Sequence, residues 1–277
     1  LPTGPYRFFL GGRDLEMVEI RALLAEVGLA DRVVDAGLVW GARASAYETA
    51  IRAGLSSGET PVLVELADDL SPDIDRSRLI VVDHHGPRSG ADRPTSLEQV
   101  FDLVGAPLGA LWTRRRALVA ANDRGHARAM RAIGANPEEI RAIRDADRAA
   151  QGVTPEIEAE SHRALAAARR RWPLLLVETS APTASAIVDF LLPEYGGPGE
   201  TDVLVATPAT FGFYGAGAVI ARLSRQPGCW YGGALPDRGF WGASRGSTAT
   251  GDLAAEITRL LEAEASRRSA TEPGREP

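Results

Sequence analysis

The sequence contains no lysine: all 31 of its basic residues are arginine. That excludes Schiff-base chemistry on a lysine amine and the phosphate-binding lysine of a P-loop. Any clamp on phosphate must use arginine, backbone amides or a metal ion. The same bias, beside abundant alanine and glycine, also fits a skewed genome composition. Cysteine is nearly absent. Cys229 stands alone, so no intrachain disulfide can form, and a reducing cytoplasm is the expected compartment. No run of about 18 apolar residues occurs, so no membrane span is expected. The opening Leu1-Pro2-Thr3-Gly4 lacks the basic-then-apolar pattern of a signal peptide. Excess positive charge is missing too. A net charge of −6 argues against a protein that grips duplex DNA through its phosphates. Small phosphorylated molecules or short single-stranded oligonucleotides remain as partners.

What is present is an ordinary globular composition, 44% hydrophobic and 25% charged over 277 residues, enough for one large or two ordinary domains. Leu79 to Val82 is a short β-branched run that reads as a buried parallel strand. It ends in Asp83-His84-His85-Gly86, which holds two of the four histidines. Ligand crevices of open α/β sheets lie beyond the carboxyl ends of such strands.

Other strands are expected at Tyr6–Leu10, Arg32–Trp40 and Pro61–Leu66. Helices are expected at Met17–Val27, Ala44–Ala53, Thr95–Val104 and Leu108–Asn122. The arginine triplet Arg114-Arg115-Arg116 reads as a solvated face. Asp123 and His126, three apart, share a helix face or line one turn. Pro137–Gln151 and Pro155–Arg171 are polar helical segments that read as a connector, with His162 at the surface.

From Trp172 the alternation restarts. Strands are expected at Leu174–Glu178 and Asp202–Thr207, and helices at Thr183–Leu192, Ala218–Arg225 and Leu253–Ala265. Gly212, Gly215 and Gly217 fall in an expected loop, where backbone amides could meet a phosphate or glycines could allow close packing. A hairpin is expected within Gly228–Gly246, and Trp230, Tyr231, Phe240 and Trp241 either pack it or stack on a base. The fold class is therefore α/β in two lobes: a mainly parallel sheet in the N-terminal domain and a smaller α/β C-terminal domain, joined by a helical connector. The expected boundaries are 1–135, 136–172 for the connector, 173–265, and a disordered tail over 266–277.

Acidic or histidine sites fall at Asp14/Glu16, Glu65 with Asp68, Asp83-His84-His85, and Asp123, each at an expected strand or helix end. Carboxylates mixed with imidazole suit Mn²⁺ or Mg²⁺. Two such ions would polarise a phosphoryl group and acidify a water between them.

In the segment Val82-Asp83-His84-His85-Gly86, and in the order of the acidic sites over roughly residues 6–126, the sequence resembles the DHH phosphoesterase superfamily. The resemblance extends by layout to a DHHA1-like second domain. It implies a metal-dependent phosphoesterase that hydrolyses a nucleotide, dinucleotide, short oligonucleotide or pyrophosphate with metal-activated water. Asp14, Glu16, Glu65 (or the nearby Asp68), His84 and Asp123 would hold one or two Mn²⁺ or Mg²⁺ ions. His85, oriented by Asp83, would face substrate phosphate.

The sequence departs from the family pattern at the first motif. Leu10-Gly11-Gly12-Arg13 lacks the expected histidine, and Glu16 and Glu65 stand where aspartates are usual. Arg13 could bind phosphate or replace part of a missing metal's charge. Arg124, His126 and the Arg245-Gly246-Ser247-Thr248 segment are the expected substrate-binding groups. The alternative reading is a non-hydrolytic nucleotide-binding or regulatory relative, or one repurposed for other metal-assisted chemistry. A homodimer is one assembly open to it.

Overall fold

The computed structural model describes residues 5–105, 108–246 and 248–271. The chain forms two compact units. The first is Leu1–Arg88, Asp92–Ala135 and Ala142–Gly152; the second is Ser89–Ala91, Asn136–Arg141 and Val153–Pro277.

The first unit is built on a four-stranded sheet from β1 (Tyr6–Leu10), β2 (Val33–Val34), β3 (Thr60–Val64) and β4 (Ile80–Val82). The order is β2-β1-β3-β4 and every pairing is parallel. All four carboxyl ends therefore open on one edge. Its helices are α1 (Leu15–Glu26), α2 (Glu48–Ser56), α3 (Ser96–Val104), α4 (Leu108–Leu111) and α5 (Arg114–Ala132), with the part of α6 (Pro137–Ala150) from Ala142 onward.

Parallel strands buried on both faces are near-continuous apolar runs, and β3 is buried at all five positions. One face carries Phe9 and Leu63 against Tyr47, Ile51 and Leu55 from α2 and the turn before it. Helices α1, α3 and α5 pack on one another, with Ile20, Leu23, Leu24, Leu97, Val100 and Val119 among the fully buried residues. The buried apolar residues Met17, Ile20, Leu23 and Leu24 of α1 recur at three- and four-residue spacing, while Val18 is left exposed.

The second unit begins with α7 (Pro155–Ala166), β5 (Arg169–Arg171), β6 (Leu174–Glu178), α8 (Ser185–Phe190) and β7 (Val203–Ala206). It continues with β8 (Thr210–Ala216), α9 (Gly217–Leu223), β9 (Trp230–Gly232), β10 (Arg238–Ser244) and α10 (Thr250–Thr271). Its six strands run in the order β5-β6-β7-β8-β10-β9, and only β6 and β7 pair parallel. Alternation sorts β6 between two cores. Leu174 and Leu176 join one with Ile220, Trp241 and Ile257, while Leu175 and Val177 join the other with Ile187 and Val205.

The two α/β sheets, the first one parallel, agree with the expected class. Several elements differ. The expected strand at Arg32–Trp40 stops at Val34, because Asp35 leaves the sheet and accepts a 2.8 Å bond from the Gly37 amide. The expected helix at Leu108–Asn122 is interrupted before Thr113, whose side chain caps α5. Helix α5 then runs past Asn122, through a break at Gly125 and His126, to Ala132. Arg169–Arg171 is a strand rather than a helix end, paired antiparallel with β6. The expected glycine-rich loop Phe211–Gly217 is strand β8 through Ala216, and Gly217 opens α9. A Cβ on Gly215 would lie 2.2 Å from the Asp202 carboxylate, and one on Gly217 would lie 2.1 Å from the Pro236 carbonyl. Close packing, not phosphate binding, uses those glycines. Helix α10 continues through residues 266–271, past the expected helix end at Ala265. Arg114 and Arg115 of the triplet are exposed as expected, but Arg116 is buried, 2.8 Å from Glu26 and 3.8 Å from Glu19, which corrects the solvated-face expectation at that one residue. No helix among the described residues is long and apolar enough to cross a membrane.

Candidate metal centre

The parallel sheet delivers its acidic residues to one edge. Chain leaving β1 enters Gly11 and Gly12, where space is the constraint. A Cβ on Gly11 would stand 2.6 Å from the Glu65 carbonyl oxygen and 2.7 Å from that of Val64. Glycine alone lets the first motif lie against the end of β3. Asp14 then caps α1, accepting a 2.8 Å bond from the Met17 amide, and Glu16 follows in the first turn. Glu65, just past β3, sits in the left-handed region at φ 51°, an uncommon place for a non-glycine residue. Its amide donates to the Val82 carbonyl at 2.8 Å, which fixes it beside the end of β4.

Four donors converge here. One ligand atom from each of Glu16, Glu65, His84 and Asp123 lies within 4.8 Å of all the others. His84 Nε2 is 3.2 Å from Glu65 Oε1 and 3.6 Å from Glu16 Oε2, and closer still to Asp123 Oδ2. His84 is 5% exposed and Glu16 1%. Helix α3 holds the two glutamates from behind: the Leu97 amide donates to Glu16 Oε1 at 2.8 Å and the Ser96 hydroxyl to Glu65 Oε1 at 2.9 Å. The amino terminus of a helix is a favourable seat for carboxylates. A capping box formed by Thr95 and Glu98 fixes that terminus.

Three atoms facing the centre, Glu16 Oε2, His84 Nε2 and Asp123 Oδ2, are buried and meet only one another and Glu65, with no well-formed hydrogen bond to any group outside the cluster. Such groups are rare and costly unless something else satisfies them. The protonation pattern points the same way. Burial alone would lower His84, but Asp123, Glu65 and Glu16 hold it as a cation, its pKa pushed up to about 12. Burial opposes ionisation of Asp123, yet His84, reinforced by His85, holds its carboxyl at about 2. Burial, with Asp123 and Glu65 close by, pushes Glu16 well above the carboxylate range. Protons occupy a space whose ligands call for a cation. The donor set, three carboxylates and one imidazole, fits a divalent ion such as Mn²⁺ or Mg²⁺.

His85 lies beside this cluster. Its Nδ1 is 3.1 Å from Asp83 Oδ1, and its backbone amide donates to the same oxygen at 3.0 Å. Asp83 also accepts from Arg88 at 3.2 Å, and its carbonyl accepts from Gln99 at 3.2 Å. Burial works against ionised Asp83, but those His85 bonds bring its pKa below the ordinary value. Glu65, His84 and His85 form a second triad of donors, sharing two residues with the first group.

The other expected residues are placed as follows. Asp14 is outside the four-donor group, although burial, then Glu65 and Asp123, raise its pKa well above normal. It lines a pocket of about 190 Å³ with Arg13, Arg21 and Asp35. Asp68 is taken by Arg76 in a two-pronged pair at 2.8 and 3.0 Å, and is not brought to the cluster. Arg124 donates to Glu98 and, at 3.2 Å, to the Arg93 carbonyl. His126 sits at φ 55° in the break of α5, so it shares no regular helix face with Asp123. In the second unit Arg245 donates to the Thr207 carbonyl at 3.0 Å and the Thr250 hydroxyl at 3.2 Å, over the Phe211 ring. Gly246 has φ 50°, the Thr248 amide bonds the Arg245 carbonyl, and Ser247 lies outside the described residues.

Sequence reasoning missed the support. Asp147 of α6 accepts from the Leu15 amide at 3.0 Å and from Arg144 at 2.7 Å. Arg144 also donates to Asn122 at 2.9 Å. This buried network ties the residues next to Glu16 and Asp123 to one helix. Only the Thr95-x-x-Glu98 capping box left a readable sign in the sequence.

A scan against protein-family models finds no match, and a search of curated proteins finds none. Among solved structures, the chain is similar to a pGpG-specific phosphodiesterase from Vibrio cholerae, with 13% identity and a TM-score of 0.39, over 93% of this chain and 99% of that one. It is similar to the DHH domain of a protein described as belonging to a family of ribosomal proteins, with 12% identity and a TM-score of 0.47, over 95% and 86%. It is also similar to RecJ in complex with Mn²⁺ from Thermus thermophilus, with 13% identity and a TM-score of 0.49, over 95% of this chain and 52% of RecJ. These are similarities of overall fold at low identity.

Proposed function

We propose that this chain is a divalent-metal-dependent phosphoesterase of the DHH type, acting on a small phosphorylated substrate. The observation that carries the reading is the convergence of four buried or nearly buried ligand atoms, crowded against one another at the carboxyl edge of a parallel sheet. Glu16, Glu65, His84 and Asp123 would hold Mn²⁺ or Mg²⁺. Such an ion, when bound, polarises a phosphoryl oxygen and acidifies water.

The remaining chemistry belongs to side chains. Asp83 fixes the His85 ring through Nδ1, which sets Nε2 as the nitrogen to meet phosphate. Arg13, exposed at the rim of the pocket, supplies positive charge beside the first motif, where the family pattern has a histidine. The four-donor group and the triad share Glu65 and His84, so one ion, or two that share those ligands, would be held here with arginine charge nearby. In the second unit Arg245, Gly246, Ser247 and Thr248 stand as the phosphate-binding group, with Arg245 held in place by Thr207 and Thr250.

The test is metal content together with turnover. The full chain is expected to bind Mn²⁺ and hydrolyse a dinucleotide or pyrophosphate. Asp123→Asn should lower Mn²⁺ affinity more than about 100-fold, beyond what loss of a supporting group costs. Unchanged Mn²⁺ binding in that variant would falsify the ligand assignment. Mn²⁺ binding with no turnover of either substrate would point to the non-hydrolytic role instead.

A further inference from the structure

Of the apolar run Leu38-Val39-Trp40, Leu38 packs against the core while Val39 and Trp40 are left at the surface, 76% and 49% exposed. The segment is not loose. The Ala36 amide donates to the Tyr47 hydroxyl at 2.9 Å, Tyr47 donates to the Leu10 carbonyl at 2.8 Å, and the Arg13 amide donates to the Leu38 carbonyl at 2.9 Å. Gly12 lies so close beneath it that a Cβ would stand 2.9 Å from the Trp40 backbone. A large indole is thus presented to water by a backbone tied to the first motif. Covering such a face is favourable, and small-molecule sites are lined mainly by apolar and aromatic side chains with a few polar groups.

Trp40 does adjoin the site. Its ring stands edge-on to His85, with centroids 6.3 Å apart and planes at 87°. Trp40 therefore offers a flat apolar face next to the group placed to meet phosphate. Two exposed side chains are far short of the roughly 800 Å² per partner that a stable protein interface needs. A single planar base, by contrast, is covered by one indole.

Resting on the metal-centre reading above, we infer that Trp40 is a specificity-determining residue: it stacks on the base of a nucleotide whose phosphate is held at His85. Inorganic pyrophosphate has no group to use this shelf. The site selects nucleotides.

The experiment measures binding of adenosine monophosphate, of pyrophosphate and of Mn²⁺ to the full chain, Trp40→Ala and Trp40→Phe. Trp40→Ala is expected to weaken the nucleotide by about 5- to 150-fold, the range for loss of one base–aromatic stack. Trp40→Phe should recover most of that loss. Pyrophosphate and Mn²⁺ affinities should stay within about twofold in all three proteins, as ligands that do not touch the indole. Equal losses of nucleotide and pyrophosphate would overturn the inference, since a structural lesion would act on both. So would wild-type nucleotide affinity in Trp40→Ala, including the case where that variant only changes self-association in sedimentation. A wild-type chain that binds no nucleotide at millimolar concentration overturns it as well. Trp40-dependent nucleotide binding in a chain that takes up no Mn²⁺ would support the stacking role and sink the metal reading alone.

Discussion

His84 and Glu16 hold protons that a divalent ion must displace. The sign of the resulting pH dependence follows from their shifts. His84 rises from an ordinary 6.5 to about 12, after the carboxylates around it overcome burial. Burial, then Asp123 and Glu65, raise Glu16 well above 4.5. Both groups take up protons on folding, so their stabilisation is complete at low pH and fades as pH rises through and beyond the unfolded values. Asp123 acts oppositely, but its shift from 3.8 to about 2 is spent below pH 4. With a chelator present, the melting temperature should therefore fall as pH is raised above 6.5. Saturating Mn²⁺ should reverse the trend, because metal binding competes with those protons and strengthens as they leave. Melting curves at a series of pH values with and without Mn²⁺ check this; a flat or rising chelated series would show that the protons are not where the geometry puts them.

Among the elements, the two strand ends at Gly11 and Glu65 set the site's spacing. A methyl group at residue 11 would meet backbone oxygens at 2.6 and 2.7 Å, and backbone cannot swing aside as a long side chain can. Gly11→Ala should cost about 1–3 kcal/mol of stability, as overpacking does. It should also weaken Mn²⁺ binding, by pushing Glu65 away from His84. Denaturant titration and metal titration of the same variant test both; wild-type Mn²⁺ affinity in a destabilised protein would separate the fold's need for glycine from the site's.

Elements carried by local pattern were legible in the sequence. Tyr6–Leu10 and Leu174–Glu178 are strands at the expected residues, and Thr95 caps its helix with Glu98. Elements decided by distant partners were not. Leu38, Val39 and Trp40 continue the apolar run of a strand, but hydrogen bonds to Tyr47 and the first motif hold them outside the sheet. Arg169–Arg171 has the composition of a solvated helix end and becomes a strand by pairing with Leu174–Leu176. The donors at strand ends, Glu65 and His84, could be read because a carboxylate or imidazole after a buried run is conspicuous. Asp147 could not, since its partner amide at Leu15 lies 132 residues away. Asp68 looked like a ligand only until Arg76, eight residues on, was seen to claim it.

For the molecule as a whole, all four proposed metal donors belong to the first unit. Ligand that binds only the folded site stabilises it by RT ln(1 + [L]/Kd), about 2.7 kcal/mol at a concentration 100 times Kd. That stabilisation reaches only those openings that break the site. Amides whose bonds close over the cluster should feel it in full: Leu97, bonded to Glu16; Glu65, bonded to Val82; and Leu15, bonded to Asp147. Where exchange proceeds through openings that release the ion, it should slow by about 100-fold at that Mn²⁺ concentration. Amides of β6, β7 and β8 lie in the second unit, which supplies none of the four donors, and should exchange at unchanged rates. Hydrogen exchange read by mass spectrometry, with and without Mn²⁺, resolves these segments. Equal slowing in both units would mean that the ion stabilises the chain through something other than the Glu16, Glu65, His84 and Asp123 centre. No slowing at residues 15, 65 and 97 would mean that the buried donors do not hold it.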